Sequence, residues 1–394
     1  MNFLLLKLAL VAVGVSPLAS AGSASISARQ LQQSLSNELS KHADFSTFNK
    51  ILASYPSIID NVTAGAENKI TLLVPTNKAF VNFIKQSNAS DISQMSVDQV
   101  LTMFKYHTLD APMTSKNFSS SKSITVPTKL QDPLYNLRSP GPALISQFGD
   151  KAQGQVLYVS RDAINPAKLR VRQGSSSSDD KVASLRAGLG QNAELTAIDG
   201  EWDGGYFQSI DTILEAPRPC STTIRKLSDS LTSLMGALEK TKLWRTLDAK
   251  PNVTCLGPNT NAFDQAGNPE KSLGQQELKG ALLNFLQDGQ VFTSLANLTV
   301  RVTVKENEIW FNDAKVVSPN VLTNNGLIHI LDRVMSPNAT GPPPSDSPSS
   351  TASPTRTSTA SPSSTSALPN AGNPAIGDIH AAAAIALAAG VLLI

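Results

Sequence analysis

Few residues of this chain have the chemistry of a catalyst. Of four histidines in 394 residues, three (His42, His107 and His329) precede the C-terminal apolar tail, and the only cysteines are Cys220 and Cys255. Those two cysteines lack the Cys-x-x-Cys spacing that tunes a redox dithiol. In an oxidising compartment they are expected to form one disulfide, closing a loop of about 35 residues and adding roughly 3 to 4 kcal/mol on the chain-entropy estimate. No Gly-x-Ser-x-Gly elbow, His-Glu-x-x-His pair or phosphate-binding loop occurs, so the common nucleophilic, metal-hydrolytic and phosphoryl-transfer chemistries lack their residues. Three weaker patterns remain. "GLGQNA" (188–193) matches a loose dinucleotide fingerprint but lacks the strand and helix that give it meaning, and reads as a loop. "DGEWDG" (199–204) starts like a calcium loop, yet its twelfth position is Ile210 where a bidentate Glu is required, so a turn between strands is expected. "KLRVRQ" (168–173) puts Lys168, Arg170 and Arg172 on one face of a strand, either to touch an acidic glycan or as a charged, aggregation-resistant edge. No enzymatic activity and no cofactor or metal is expected.

The elements that would position these residues come in two copies. "KITLLVPTNKAF" (69–80) recurs as "NVTCLGPNTNAF" (252–263), with Pro75 and Phe80 matching Pro258 and Phe263. "GYFQSIDTILEAP" (205–217) recurs as "GLIHILDRVMSP" (326–337), with Gly205 and Asp211 matching Gly326 and Asp332. Two motifs in the same order, twice, indicate a duplicated domain. The offsets of the two motifs differ by 62, so the first copy carries about sixty extra residues between them. Apolar spacing predicts helices opening each unit (Leu31, Leu35, Leu39, and again within 229–247) and over 96–109 and 274–287. Alternation predicts strands over 296–317 and at both repeated motifs. Leu72 and Val74 should face a core, Asn77 should cap the helix that follows, and Phe80 should anchor it. Asp211 and Asp332 should be partly buried and bonded to backbone, since an unpaired buried carboxylate is costly. The expected class is α+β, helices packed on a small antiparallel or mixed sheet.

These repeated segments resemble the fasciclin domain family, whose two hallmark motifs are similar to "TLLVPTNKAF" with "GYFQSIDTILEAP" and to "TCLGPNTNAF" with "GLIHILDRVMSP". The resemblance implies two tandem fasciclin-like domains, 28–217 and 220–337, each a wedge-like sheet core with surrounding helices, and a role in adhesion or matrix contact. It also singles out Tyr106-His107, which matches a Tyr-His dipeptide of that family and is the candidate adhesion motif; the second copy has Asn284-Phe285 there. His107 has two readings, a core histidine whose ring nitrogens hold neighbouring loops or an exposed part of an adhesive surface.

The flanking segments suggest export. Residues 1–21 read as a cleaved signal peptide, with Lys7, an apolar run and Ala19-Ser20-Ala21. Residues 338–369 are a Ser/Thr/Pro-rich stalk with almost no large apolar residue, and 370–394 read as a glycosylphosphatidylinositol signal with Asn370 as attachment site. N-glycosylation sequons begin at Asn61, Asn88, Asn117, Asn252, Asn297 and Asn338. A net charge of +2 without a basic run argues against a nucleic-acid partner. The expected partners are cell-surface or extracellular-matrix proteins or glycans, with the outer leaflet of the plasma membrane reached through the lipid. Such a chain resembles a fungal cell-surface protein; a carbohydrate- or lipid-binding protein or structural spacer of the wall is the alternative reading. An exposed aromatic patch in the extra segment, which holds Tyr135, Phe148 and Tyr158, would favour glycan binding.

Overall fold

The computed structural model describes residues 28–63, 69–87, 95–118, 123–160, 181–268, 288–293, 299–305, 308–336, 339–343 and 392–393. The expected signal peptide, nearly all of the stalk and lipid signal, Asn88, Asn297, Asn338, Asn370, the helix over 274–287 and the basic strand at 168–173 lie outside these residues.

The first sheet has seven strands: β1 (Ile70–Pro75), β2 (Thr108–Leu109), β3 (Ile124–Pro127), β4 (Val156–Ser160), β5 (Lys181–Arg186), β6 (Asn192–Trp202) and β7 (Gly205–Ile210). Their order is β2-β1-β7-β6-β5-β4-β3. The sheet is mixed: β1 runs parallel to β7, and every other neighbouring pair for which a register is defined is antiparallel. The second sheet repeats the plan with β8 (Val253–Pro258), β9 (Val291–Thr293), β10 (Thr299–Lys305), β11 (Glu308–Phe311), β12 (Ala314–Thr323), β13 (Gly326–Leu331) and β14 (Leu392–Leu393), in the order β14-β8-β13-β12-β11-β10-β9. β8 and β13 form its parallel pair.

The duplication is exact at the atoms that set register. Gly205 lies opposite Ile70, and Gly326 opposite Val253. A Cβ at either glycine would overlap the carbonyl of its partner residue, so the parallel strands approach this closely only because both positions lack one. Asp211 Oδ1 accepts from the Glu194 amide at 2.7 Å, and Asp332 Oδ1 from the Lys315 amide at 2.8 Å. The backbone bonds expected of both aspartates are therefore present, although only Asp332 is half-buried; Asp211 is exposed. Asp199 and Asn320 occupy matching left-handed bulges, φ 47° and 54°, and each bulge is held by a buried polar side chain of the next strand. Gln208 Oε1 accepts from the Ile198 and Asp199 amides, and His329 Nδ1 from Asn320 N at 3.2 Å.

Each sheet is packed on helices from its own half of the chain. The helices Ala28–Leu39, Ser46–Ser54, Asn77–Ser87 and Val97–His107 contribute Leu35, Leu52, Phe80 and Phe104 to a core shared with Leu72, Val74 and Phe207. In the second half, Ser228–Thr241 and its neighbours pack Leu234, Leu238 and Phe263 against Cys255 and Ile328. Asn77 departs from its expected role. Thr76 supplies the cap, taking the Ala79 amide at 3.2 Å, as Asn259 does for Ala262 at 2.8 Å. Asn77 instead accepts from Thr47 N and donates to the Ala43 carbonyl, pinning its helix to the start of the Ser46–Ser54 helix. "GLGQNA" forms the β5–β6 turn, with Leu189 and Gly190 at φ 57° and 74°, and "DGEWDG" closes the β6–β7 hairpin.

The extra residues of the first half are largely connections between strands that have counterparts in the second. Residues 128–155 join β3 to β4 where the second copy uses 294–298, and 161–180 join β4 to β5 where it uses 306–307. The 128–155 segment, with a helix at Pro142–Phe148, lies against the second half: Leu144, Ala152 and Val156 pack on Leu322. Among the described residues no helix is long and apolar enough to cross a membrane.

Candidate functional site

Tyr106 and His107 end the Val97–His107 helix. Its start is fixed by a capping box, Ser96 Oγ accepting from Gln99 N at 3.3 Å while Gln99 Oε1 accepts from Ser96 N at 2.8 Å. Val100, Met103, Phe104 and His107 then fall on the buried side, and Tyr106 points into a second cluster with Leu73, Leu157 and Leu185. Tyr106 is 0% and His107 1% exposed. The exposed reading of this pair is therefore corrected: neither side chain can touch a partner of the folded protein, because the turn into β2 carries both under the sheet.

What the pair does is hold. Tyr106 donates its hydroxyl to the Val156 carbonyl at 3.3 Å, and burial pushes its phenol well above the usual range. His107 Nε2 accepts the Leu214 amide at 3.0 Å, so its proton is on Nδ1, which donates to the Met103 carbonyl at 2.7 Å. Burial lowers the imidazole to about 4, and it is neutral at physiological pH.

Met103 and Leu214, the two residues His107 ties together, both line a cleft of about 370 Å³. Its walls are the Asn77–Ser87 and Val97–His107 helices and the 213–218 segment leaving β7, with Tyr135 from the extra segment and Lys226 from the first helix of the second half. Its lining is mixed: Phe83, Met95, Met103 and Leu214 are apolar, Gln86, Gln99 and Thr102 polar, and Glu215, Arg218 and Lys226 add charge. Arg218 stacks its guanidinium on the Tyr135 ring, 4.8 Å from the centroid.

The remaining singled-out residues are scattered. Asn61, Asn117 and Asn252 are exposed, but Asn252 also accepts the Ser139 amide at 2.9 Å where the extra segment meets the second half. Cys220 and Cys255 are buried free thiols in the second core, in hydrogen-bonding contact with each other, so the disulfide expected of them is not formed in this structure. Of the three aromatics of the extra segment, Tyr158 is buried and Tyr135 and Phe148 are half-buried, so they form no exposed patch. Among the described residues no group of three or more His, Cys, Asp or Glu could hold a metal. Sequence reading missed the Gln208/His329 and Asp199/Asn320 pairs, although each stands at the same 121-residue offset as the repeated glycines and aspartates.

The family model finds the domain twice. The family model described as "Fasciclin domain" matches residues 43–141 and 229–337. A fasciclin-like arabinogalactan protein of Arthroderma benhamiae is 22% identical over 318 residues, 78% of this chain and 67% of its own. Fasciclin-like arabinogalactan protein elcF of Phaeosphaeria nodorum is 23% identical over 312 residues, 77% of this chain and 88% of its own. Among solved structures, a FAS1 domain pair from the insect cell adhesion molecule Fasciclin I is 15% identical and covers 74% of this chain and 97% of that one, with a TM-score of 0.32. The first family match ends at residue 141, and it is the parallel pairing of β7 with β1 that places the second hallmark motif in the same domain. This chain belongs to the fasciclin family, and it carries two copies of the domain in tandem.

Proposed function

We propose that this protein is a non-enzymatic, cell-surface adhesion or wall-contact protein that works through its tandem fasciclin domains. The observation that carries the reading is the doubled domain itself: two copies of one fold, followed by a Ser/Thr/Pro-rich segment suited to a stalk. Repetition on one chain, multiplied over many chains on a surface, gives weak contacts a high effective concentration without a tight single site. The names of the fungal relatives, arabinogalactan proteins, support placement in or near a glycan-rich wall. An N-terminal export signal, a lipid at Asn370 and glycans at the exposed sequons are part of the same proposal. Carbohydrate binding by the extra segment is the weaker reading, because its aromatics form no exposed patch.

The test compares the full-length protein as single molecules and coupled densely to beads, against cells, isolated walls and matrix proteins. Binding by the coated beads alone is expected. Saturable binding of the single molecule to one glycan would replace adhesion with recognition, and beads that stick to nothing would leave the spacer reading in its place.

A further inference from the structure

We propose that the cleft at the junction of the two halves is a binding site for a small organic anion, an aliphatic or aromatic body carrying one carboxylate. Its volume of about 370 Å³ falls in the range of ligand pockets, which favour domain junctions and are apolar with a few placed polar groups. The lining of this cleft is mixed, with Gln86, Gln99 and Thr102 beside Phe83, Met95, Met103 and Leu214; the apolar side chains offer contact to the body of the ligand, and the two methionines adapt to either a chain or a ring.

Charge selects the sign of the ligand. Arg218 and Lys226 line the cleft, and among the described residues neither forms an ion pair. The Arg218 guanidinium lies over the Tyr135 ring, 4.8 Å from its centroid, and a guanidinium held there offers a planar set of donors suited to a carboxylate. Glu215 also lines the cleft, so the lining carries one positive charge in excess, which suits one carboxylate and disfavours a dianion. The walls are also held apart at a set distance, because the buried His107 bonds to the backbone of both Met103 and Leu214. A site preformed in this way loses little free energy to ordering when a ligand enters.

The experiment titrates the full-length protein with decanoate, 1-naphthoate and the neutral decan-1-ol by calorimetry. Saturable one-to-one binding of at least one of the acids is expected, with decan-1-ol weaker by about tenfold or more, the loss of a charged hydrogen bond. The acid that binds more tightly names the class, chain or ring. Replacing both cations, Arg218→Gln with Lys226→Gln, should weaken the acid about tenfold and leave the alcohol unchanged. Ala216→Trp, which fills the cleft, should abolish binding, and thermal unfolding of each variant without ligand checks that it is folded. Failure of both acids to saturate, equal binding of decanoate and decan-1-ol, or full binding by folded Ala216→Trp each overturns the site.

Discussion

His107 accepts the amide of Leu214 from 107 residues further along the chain, and the same ring donates to Met103 on its own helix. Protonation would place an N–H against an N–H. Burial accordingly holds the folded imidazole near 4, while the unfolded chain has the ordinary value of about 6.5. Between those values the unfolded state binds a proton that the folded state does not. Stability from this group is complete above about 6.5 and is lost as pH falls towards 4, in all about 3 kcal/mol. His329, lowered to about 3 by burial and the nearby charge of Arg186, acts in the same direction. Urea midpoints measured from pH 7 to 4 should fall steadily. His107→Leu should be less stable by about 2 to 4 kcal/mol at pH 7 and show a shallower acid slope; an unchanged slope would refute this account.

A second expectation concerns the repeated aspartates. Asp211 and Asp332 each satisfy one amide of the preceding strand, so alanine at either leaves a backbone donor without its acceptor. Each should cost about 1 to 2 kcal/mol, whereas asparagine, which keeps an acceptor oxygen, should cost less. Hydrogen exchange at the Glu194 and Lys315 amides reads the effect directly. Accelerated exchange at both in the alanine variants is the expected result, and protection equal to the parent would show that the carboxylates are incidental.

The particular residues explain what could be read in the sequence and what could not. Pro75, Phe80, Gly205, Asp211 and their partners stand at fixed offsets because each sets a backbone position, so a repeat search finds them and the α+β plan follows. Cap identity was read one residue late, since Thr76 and Asn77 are both competent cap residues and only the contact of Asn77 with Ala43 and Thr47 decides between them. Of the two readings of His107, the core histidine whose ring nitrogens hold neighbouring segments is the one found, in its bonds to Met103 and Leu214; the sequence could not choose between them, because burial of a helix end depends on where the chain turns next. The cleft was equally invisible: its walls come from segments separated by a hundred residues, and no local pattern marks them.

The glycines at the parallel pairs give a sharper test. Alanine at Gly205 or Gly326 would drive a methyl into the carbonyl of Ile70 or Val253, and Gly205 also sits at φ 142°, where other residues are strained. The contact is with backbone, so relief requires the two strands to separate. Each substitution should cost at least about 2 kcal/mol, more than Gly→Ala at the open Gly236, where nothing lies within 4 Å. Equal melting temperatures for the three variants would remove the close approach as the reason for these glycines.

The cysteines carry a redox prediction. As a thiol, Cys220 is unreactive, because its hydrogen bond with Cys255 and burial push it well up. Protein secreted from a eukaryotic host should nevertheless emerge with the pair joined, resisting alkylation after unfolding unless first reduced. Reduction should then lower stability by roughly 3 kcal/mol. Alkylation of both cysteines in unreduced, unfolded protein would show that they stay free.

The last prediction concerns how the two domains move. Asn324, buried in the β12–β13 turn, donates its amide N–H to Arg218 at 2.9 Å and its side chain to Leu134 at 3.2 Å, while its carbonyl accepts from Leu137 at 2.7 Å. Leu134 and Leu137 belong to the extra segment of the first domain, so that segment joins one domain to a hairpin of the other. Leu144, Ala152 and Val156 add apolar contact with Leu322 beside it. Domains coupled through both polar and apolar contacts should unfold together, which separate domains on a flexible linker would not do. Calorimetry of the full-length protein should therefore give one transition. Replacing 131–153 with a short Gly-Ser connection should split it into two while leaving each sheet intact by circular dichroism. Two transitions in the parent, or one in the shortened chain, would mean that the extra residues do not clamp the pair.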